Sequence, residues 1–427
     1  MSEWKEAISG EVLDLISGYA FKSKDFKEVP DEDDLPVIKI KNVANGDVNF
    51  ESVVYHHVSE KLAKYILEKG DILIAMTGNH PHAMTQVVGD VSRYKLAKKG
   101  LLNQRVGKLV AKDDNCLDFF YYYFKYEDNR NYLANQSSGS ANQANISKGD
   151  ILGIPMIIPE PEEQKAIAEV LSSLDDKIDL LHRQNQTLEQ MAETLFRQWF
   201  VEEANPDWEE RSLSEFGQII CGKTPSKKKP EYFDGEFPFI KIPDMHGKTF
   251  VFDTQDSLSE EGFLSQEKKA LPAKSINVSC IATVGLVTMN AFPSQTNQQI
   301  NSIIPDDEYR YYLYCEMKNS YDLLHAMASG GTATLNLNTG NFSKIPVLQP
   351  DEETIDRFNE LVSPMFDKIF ENQTQIRTLT ALRDTLLPKL MSGEIRLNYD
   401  SDDFYDSFDS KNHSSNQDNP IIQSSDK

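Results

Sequence analysis

Hydrophobic residues recur with a seven-residue spacing in two long stretches of the chain. In the first stretch, residues 159–204, each apolar position is followed four residues later by a member of a second column. The first column is Ile167, Leu174, Leu181, Leu188 and Leu195, and the second is Leu171, Ile178, Asn185, Ala192 and Trp199. Alternating spacings of four and three residues are typical of a coiled-coil seam. The pattern therefore predicts one long helix, about 60 Å for roughly 40 residues.

The second stretch, residues 349–397, repeats this pattern. Its columns are Ile355, Val362, Ile369 and Ile376, and Phe358, Met365, Asn372, Leu379 and Leu386. Two long amphipathic helices in one chain would most simply bury their seams against each other, so we expect them to pair as an antiparallel coiled coil. Each seam contains one asparagine, Asn185 or Asn372. The two are either tolerated polar residues or a pair that sets the helix register.

The segments before the two helices, residues 1–158 and 205–348, share one order of landmarks. In the first segment the pattern predicts a helix over 4–16, a strand over 35–43, a strand over 72–75 and an aromatic helix over 119–124. The second segment repeats these features in the same order. The predicted fold class is α/β (α+β), with two similar units alternating with two long helices in a pseudo-twofold repeat. Residues 398–427 are rich in aspartate and predict a disordered acidic tail.

Length and composition limit what the chain can be. Its 427 residues are too many for one hydrophobic core and predict two or three domains. The four cysteines are scattered, which favours reduced thiols and a cytoplasmic protein over a disulfide framework or a zinc site. No apolar run approaches the roughly 20 residues of a membrane helix. A formal net charge of −23 argues against a generally basic nucleic-acid-binding surface, so DNA contacts would come from local basic patches.

Two motifs suggest chemistry that their context argues against. Residues 217–224 match the phosphate-loop pattern G-x-x-x-x-G-K-T, but Pro225 and Pro230 leave no room for the long helix that must follow. The histidine pairs at 56–57 and at 80 and 82 have no carboxylate or cysteine at ligand spacing. The chain also lacks the cofactor loop and the Asn/Asp-Pro-Pro-aromatic motif of a methyltransferase. We therefore expect a non-catalytic protein with no directly bound metal or cofactor.

Both repeated units carry basic and polar residues at corresponding places. Lysines hold phosphate groups, whereas the amides, hydroxyls and glycines of the loops read base edges. In the first unit, the predicted DNA-contacting residues are Lys22, Ser23, Lys24, Lys39, Lys41, Thr77, Asn79, Asn103, Gln104, Arg105, Ser138 and Asn142. In the second unit, they are Lys223, Thr224, Lys227, Lys241, Thr283, Asn297, Gln298, Gln299, Ser329 and Thr332. Any one of these alone is more simply a solvated loop residue, but the repeated placement favours a binding face.

Several of these segments resemble the specificity subunit of type I restriction-modification systems. The loops at 18–23 and 222–226 are similar to the openings of its target recognition domains. The helix start at Pro161 and the segment Leu-Leu-Pro-Lys-Leu-Met-Ser-Gly-Glu-Ile at 386–395 are similar to its repeated spacer regions. The resemblance implies target recognition domains at 1–158 and 205–348 and spacer helices at 159–204 and 349–397.

The resemblance also implies the function and the partners. The chain would be a non-catalytic subunit that reads double-stranded DNA with a split recognition sequence. It would bind two methyltransferase subunits, and restriction subunits in the full complex. S-adenosylmethionine would be bound by the partner methyltransferase. The acidic helix residues Glu169, Asp175, Asp176 and Asp179 are either candidates for docking that partner or simply a solvated helix face. The alternative is a coiled-coil scaffold that holds two binding domains and has no role on DNA.

Overall fold

The computed structural model of the protein describes residues 4–43, 46–78, 87–137, 144–329 and 335–397. The predicted acidic tail, 398–427, lies outside the described residues. The chain divides into two compact units. Unit 1 comprises the described residues up to Asp176 together with those from Thr380 onward, and unit 2 comprises Lys177–Leu379. Each unit is therefore built around parts of both long helices.

Unit 1 is made of short strands and short helices that precede the first long helix. Its strands are β1 (Lys5–Ile8), β2 (Leu13–Ser17), β3 (Asp34–Ile38), β4 (Val54–His57), β5 (Ile66–Leu67), β6 (Ile72–Ala75), β7 (Thr77–Gly78), β8 (Val91–Arg93), β9 (Gly100–Leu102), β10 (Val106–Ala111), β11 (Ala144–Asn145) and β12 (Pro155–Ile158). Its short helices are α1 (Ser9–Val12), α2 (Leu117–Lys125), α3 (Glu127–Asn135) and α4 (Lys148–Leu152).

Two four-stranded sheets dominate unit 1. One has the order β2-β10-β6-β8 with antiparallel neighbours, and the other has the order β4-β3-β9-β5 with β3 and β9 parallel. Strand β6 is buried on both faces because Ile72 and Ile74 enter one apolar cluster while Leu73 enters another. The first cluster also contains the predicted aromatic helix, which forms as α2 and buries all six aromatic side chains from Phe119 to Phe124.

Unit 2 begins within the first long helix, α5 (Pro161–Arg197), which is followed by a π-helical turn, Gln198–Glu202. Its strands are β13 (Glu209–Ser212), β14 (Gly217–Cys221), β15 (Phe233–Ile240), β16 (Phe250–Val251), β17 (Asp256–Leu258), β18 (Ile276–Ser279), β19 (Val287–Asn290), β20 (Gln295–Thr296), β21 (Ile300–Pro305) and β22 (Pro346–Gln349). Its helices are α6 (Ile242–Met245), α7 (Glu260–Leu264), α8 (Arg310–Asn319), α9 (Tyr321–Ala328) and α10 (Thr339–Phe342), followed by the second long helix, α11 (Glu352–Met391).

The strand topology of unit 2 repeats that of unit 1. The order β14-β21-β18-β19 corresponds to β2-β10-β6-β8, with β16 added at the edge. The parallel pair of β15 and β20 corresponds to the pair of β3 and β9, and β13–β22 corresponds to β1–β12. The predicted internal repeat of two similar mixed units is therefore confirmed.

Within each unit, segments of the two long helices pack together. In unit 1, Leu171 shares an apolar cluster with Leu390, and the Arg383 guanidinium donates to the Asp175 carboxylate at 2.9 Å. In unit 2, the Phe196 ring lies 6.5 Å from the Phe358 ring. Early residues of one helix thus meet late residues of the other, which makes the packed segments antiparallel. The supercoil and the pseudo-twofold relation stay predictions.

Two local predictions need correction. Residues 4–16 form β1, a single helical turn and β2 instead of one helix, because both strands pair with distant partners. The strand predicted over 35–43 ends at Ile38 and gives way to a 3-10 turn, Ile40–Asn42. The rejection of the phosphate-loop match needs no correction, because the match begins with β14 and the next helical segment is only the short 3-10 turn Pro230–Tyr232.

Candidate nucleic-acid interface

In unit 1, the loop after β2 is joined to the turn between β9 and β10. The amide of Tyr19 donates to the Leu102 carbonyl at 2.9 Å, and the Gln104 amide donates to the Tyr19 carbonyl at 2.9 Å. Gly18 is required because a Cβ at this position would lie 2.1 Å from the Asn103 carbonyl oxygen. Two loops that are distant in sequence are thus held side by side. They expose the side chains of Tyr19, Gln104 and Arg105.

Unit 2 contains the same construction, which we call the glycine junction in both units. The amide of Lys223 donates to the Thr296 carbonyl at 2.9 Å. A Cβ on Gly222 would lie 2.1 Å from the Asn297 carbonyl oxygen, which repeats the contact of Gly18. The Thr224 hydroxyl donates to the Gln298 side-chain oxygen at 2.8 Å. The structure therefore brings together Lys223, Thr224 and Gln298, which are three of the predicted DNA-contacting residues.

A polar cluster holds the side chain of Arg105. Its guanidinium donates from Nη1 to the Asn145 side-chain oxygen at 3.1 Å and to the Thr77 hydroxyl at 3.5 Å. The Thr77 hydroxyl in turn donates to Asn145 at 2.8 Å. Thr77 and Arg105 were predicted site residues, but Asn145 was missed. It reaches the cluster because β11 pairs with β7, and a two-residue pairing of that kind leaves no signal in the sequence.

The predicted lysines differ in how they are held. Lys22 precedes the exposed 3-10 turn Ser23–Asp25 and Lys24 lies within it, and neither lysine forms an ion pair with any described residue. The Lys39 ammonium lies 4.3 Å from the centre of the Phe26 ring, and partial burial together with the Lys41 charge lowers its pKa. Lys41 donates to the Ser52 carbonyl at 2.6 Å.

In unit 2, Lys227 is exposed, whereas Lys241 is engaged by a carboxylate. The Lys241 ammonium pairs with Asp256, so it does not offer a free charge as Lys22 does. The two lysines at matching places, Lys39 and Lys241, thus have different surroundings. Position in the repeat predicts the residue type here but not its partner.

Other predicted residues have internal roles or lie elsewhere. Asn297 is buried, and its amide group both accepts from the Gln299 backbone at 3.1 Å and donates to the Gln299 side chain at 3.0 Å, which closes the turn. Asn103 occupies the same turn in unit 1. Thr283 is exposed in another loop, and the Ser329 hydroxyl donates to the His325 carbonyl at 2.7 Å at the end of α9. Asn79, Ser138, Asn142 and Thr332 lie outside the described residues.

No metal-binding cluster is evident in the ranges that the structure describes. In those ranges, no group of three or more His, Cys, Asp and Glu residues could hold a metal ion. Burial raises the pKa of the Cys280 thiol to about 11, which makes it a weak nucleophile. None of the described helices is both long enough and apolar enough to cross a membrane.

Comparison with known proteins places the two units in one family. The profile of the type I restriction modification DNA specificity domain matches residues 1–190 and again residues 205–380. The specificity subunit of type I restriction enzyme HindI from Haemophilus influenzae is 34% identical over 92% of this chain and 100% of its own length. The MjaIX specificity subunit of Methanocaldococcus jannaschii is 27% identical over 85% of this chain and 87% of its own.

A solved structure shares the fold. The S subunit of the type I restriction-modification system from M. genitalium superposes with a TM-score of 0.59 at 20% identity, and the match covers 91% of this chain and 96% of that one. The two profile matches coincide with the two repeats that the strand topology defines. The chain therefore belongs to the family of type I restriction-modification specificity subunits, as a non-catalytic component that recognises DNA sequence.

Proposed function

We propose that each unit reads one half of a split DNA sequence through its glycine junction. The observation that carries this proposal is that one backbone frame occurs twice with different side chains mounted on it. Unit 1 exposes Tyr19, Gln104 and Arg105, whereas unit 2 has Lys223, Gln298 and Gln299 in the corresponding places. A constant frame with variable polar side chains is what two readers of different half-sites require, since base identity is read by side chains in the major groove.

The lysines near the junctions would position the duplex. Lys22 and Lys24 in unit 1 and Lys227 in unit 2 are exposed and suit phosphate contacts, which give affinity without sequence information. The overall charge of −23 limits such contacts to these local patches. Much of the positive channel around the DNA would then come from the partner methyltransferase, which would also bind S-adenosylmethionine.

The long helices would dock two methyltransferase subunits, and the full complex would add restriction subunits. Support comes from Met191 and Leu382, which correspond in the repeat and are 47% and 45% exposed. An exposed apolar side chain at the same place in each repeat suits two copies of one partner. Asp175 is not available for this role because it is buried and paired within unit 1. Glu169 and Asp176 remain exposed candidates.

Long-read methylation sequencing of DNA tests this proposal. Cells would carry the cognate methyltransferase gene with this gene, without it, or with a Gly222→Val variant that cannot form the unit 2 junction. We expect a split motif with modified adenine only when this chain is present. Gly222→Val should abolish the motif, because both halves are required for binding. If the complex with the wild-type chain is folded and assembled but produces no split motif, the proposal is contradicted.

A further inference from the structure

Among the residues that the structure describes, only neutral groups orient the side chain of Arg105. Asn145 and Thr77 accept hydrogen bonds from its Nη1 at 3.1 and 3.5 Å, and the mutual hydrogen bond of those two residues fixes their own positions. Among the described residues, no carboxylate pairs with this guanidinium and no acceptor bonds Nη2 or Nε. The side chain is nevertheless exposed. Its Nη2 and Nε therefore have no acceptor within the described ranges and are available to a ligand.

The backbone of Arg105 is held as firmly as its side chain. Its carbonyl accepts from the Met76 amide at 3.0 Å, and the Met76 carbonyl accepts from the Ile146 amide at 3.0 Å. This ladder ties the turn that bears Arg105 to β7 and β11, which supply Thr77 and Asn145. An arginine that only neutralises phosphate does not need this degree of orientation, whereas one that reads a base does, because a bidentate contact depends on the plane of the guanidinium.

Unit 2 lacks this arrangement at the equivalent place. Gln299 corresponds to Arg105, since its carbonyl accepts from the Cys280 amide at 2.8 Å as the Arg105 carbonyl does from Met76. Its side-chain oxygen is already engaged by Asn297 at 3.0 Å. Ile281, bridged to Asn336, takes the place of Thr77 beside Asn145 and carries no hydroxyl. The two half-sites would therefore be read by different chemistry at this position.

We infer that Arg105 reads a guanine in the half-site bound by unit 1. Its free Nη2 and Nε would donate to O6 and N7 of that guanine in the major groove, with Thr77 and Asn145 as positioning residues. The half-site bound by unit 2 has no arginine-read guanine at the matching place. This inference rests on the proposed function of the glycine junctions and adds the identity of one base.

The experiment combines motif mapping with a chemical probe of the base. Methylation would first be mapped in cells with the wild-type chain, Arg105→Gln, Arg105→Lys and Gln299→Ala. We expect Arg105→Gln and Arg105→Lys to relax the requirement for one guanine in a single half-site. The other half-site and the length of the unread gap between the two half-sites should stay unchanged. Gln299→Ala, the matched change in unit 2, should alter only the other half-site and so shows which half belongs to which unit.

Binding by the purified complex with its methyltransferase then separates a base contact from a phosphate contact. Replacing that guanine with 7-deazaguanine removes the N7 acceptor and should weaken wild-type binding about tenfold, since a good bidentate contact discriminates by roughly 1–3 kcal/mol. The Arg105→Gln complex should be indifferent to the replacement. Asn145→Ala should show an intermediate penalty, because Arg105 remains but loses its orientation.

Three outcomes would overturn the inference while leaving the proposed function intact. One is a unit 1 half-site without guanine. Another is a 7-deazaguanine penalty that is equal in the wild-type and Arg105→Gln complexes. The third is a uniform loss of methylation in Arg105→Gln with full retention in Arg105→Lys, which indicates a phosphate contact. The absence of any split motif with the wild-type chain would instead contradict the proposed function itself.

Discussion

Asp175, which is buried, and Glu316, which is half-buried, are stabilised to very different degrees. Asp175 in unit 1 is 8% exposed and accepts hydrogen bonds from Arg383 at 2.9 Å and from Tyr122 at 2.8 Å. Burial alone would raise its pKa, but the charges of Lys125 and Arg383 and the Tyr122 hydroxyl together lower it. Glu316 in unit 2 has one neutral partner, the Ser320 hydroxyl at 2.8 Å. Its burial dominates and raises its pKa.

Replacing Glu316 with glutamine should therefore stabilise unit 2 near neutral pH. A carboxyl group whose pKa is raised by folding contributes most below the pKa of the unfolded chain, and that contribution is lost as pH rises through the folded pKa. Glutamine keeps the acceptor for Ser320 and removes the buried charge. We expect Tm to rise by about 2 °C or more at pH 8, as for a gain of roughly 1 kcal/mol.

The pH dependence distinguishes this cause from a general effect of the substitution. Thermal unfolding of both chains between pH 4 and pH 8 should show the difference in Tm shrinking as pH falls towards about 4.3, the pKa of an unperturbed glutamate. Glu215→Gln, at an exposed glutamate paired with Arg211, serves as the control and should change Tm little at any pH. A constant difference across the range would contradict the assignment.

The single residues of the interface show how far sequence reasoning reaches at this scale. Position in the repeat predicted Gln104, Arg105, Lys223 and Gln298, and the structure places all four as exposed residues of the glycine junctions. It could not identify Asn145, whose role depends on the long-range pairing of β11 with β7. It also could not show that the side-chain amide of Asn297 is hydrogen-bonded to Gln299 within its own turn.

At the scale of elements, Asn185 and Asn372 meet in the seam between the long helices of unit 2. The Asn372 amide donates to the Asn185 side-chain oxygen at 2.9 Å, and both residues are buried. The internal repeat makes Leu181 the counterpart of Asn372 and Ile376 the counterpart of Asn185. If the first long helix packed in this register against a second copy of itself, Asn185 would face Leu181. In the same way, Asn372 would face Ile376 if the second long helix packed against its own copy. Only the pairing of the two unlike helices joins the amides, which favours the register-setting interpretation.

A double-mutant cycle on this pair tests the interpretation. Asn372→Leu alone should destabilise the protein by about 1–3 kcal/mol, because the Asn185 amide is left buried without that partner. The double change to leucine should cost less than the sum of the single changes, with a coupling energy of about 1 kcal/mol, measured by urea unfolding. Thr187→Leu with Thr374→Leu, at exposed helix positions, should show no coupling. Additive effects at the asparagines would indicate two independent, tolerated polar residues.

The long helices could be predicted from sequence, whereas the first strands could not, and the reason is physical. Heptad spacing is a local pattern and extends over about 40 residues, so it is sufficient to predict the helices. Residues 4–16 have apolar positions at helical spacing too, but Gly10 interrupts them. A Cβ on Gly10 would lie 2.9 Å from the Leu152 carbonyl oxygen. The flanking strands β1 and β2 pair with β12 and β10, whose paired residues are at least 90 positions further along the chain. Such distant partners override local periodicity.

At the scale of the whole molecule, the equivalent exposed residues Met191 and Leu382 predict how many partner subunits bind. Met191→Glu should weaken one docking site by tenfold or more, because burying methionine is worth about 1.5–3 kcal/mol and a buried charge is costly. Native mass spectrometry of the chain with excess methyltransferase should then show one bound subunit instead of two. Leu382→Glu should give the same loss, and the double variant should bind none. Gln190→Glu places the same charge on a neighbouring exposed position and should keep both subunits.

Both long helices contribute to both units, and the division falls after Asp176 in α5 and after Leu379 in α11. The length of these helices is therefore a candidate for what sets the gap between the half-sites. One heptad inserted at both places adds about 10 Å, or roughly 3 base pairs at 3.4 Å each. The gap in the methylated motif should widen accordingly while both half-sites stay the same. The duplex also rotates by about 100° over 3 base pairs, so the major groove would turn away from one unit and methylation should weaken.

Three inserted heptads separate length from groove phase. They add about 32 Å, close to the 34–36 Å of one turn of DNA, and so return the groove nearly to its original face. We therefore expect the three-heptad chain to methylate a gap widened by about 9–10 base pairs more efficiently than the one-heptad chain methylates its own. Inserting a heptad in α5 alone serves as the control, since it breaks the match between the paired helices. An unchanged gap in the three-heptad chain would mean that the helices join the units without measuring the distance between half-sites.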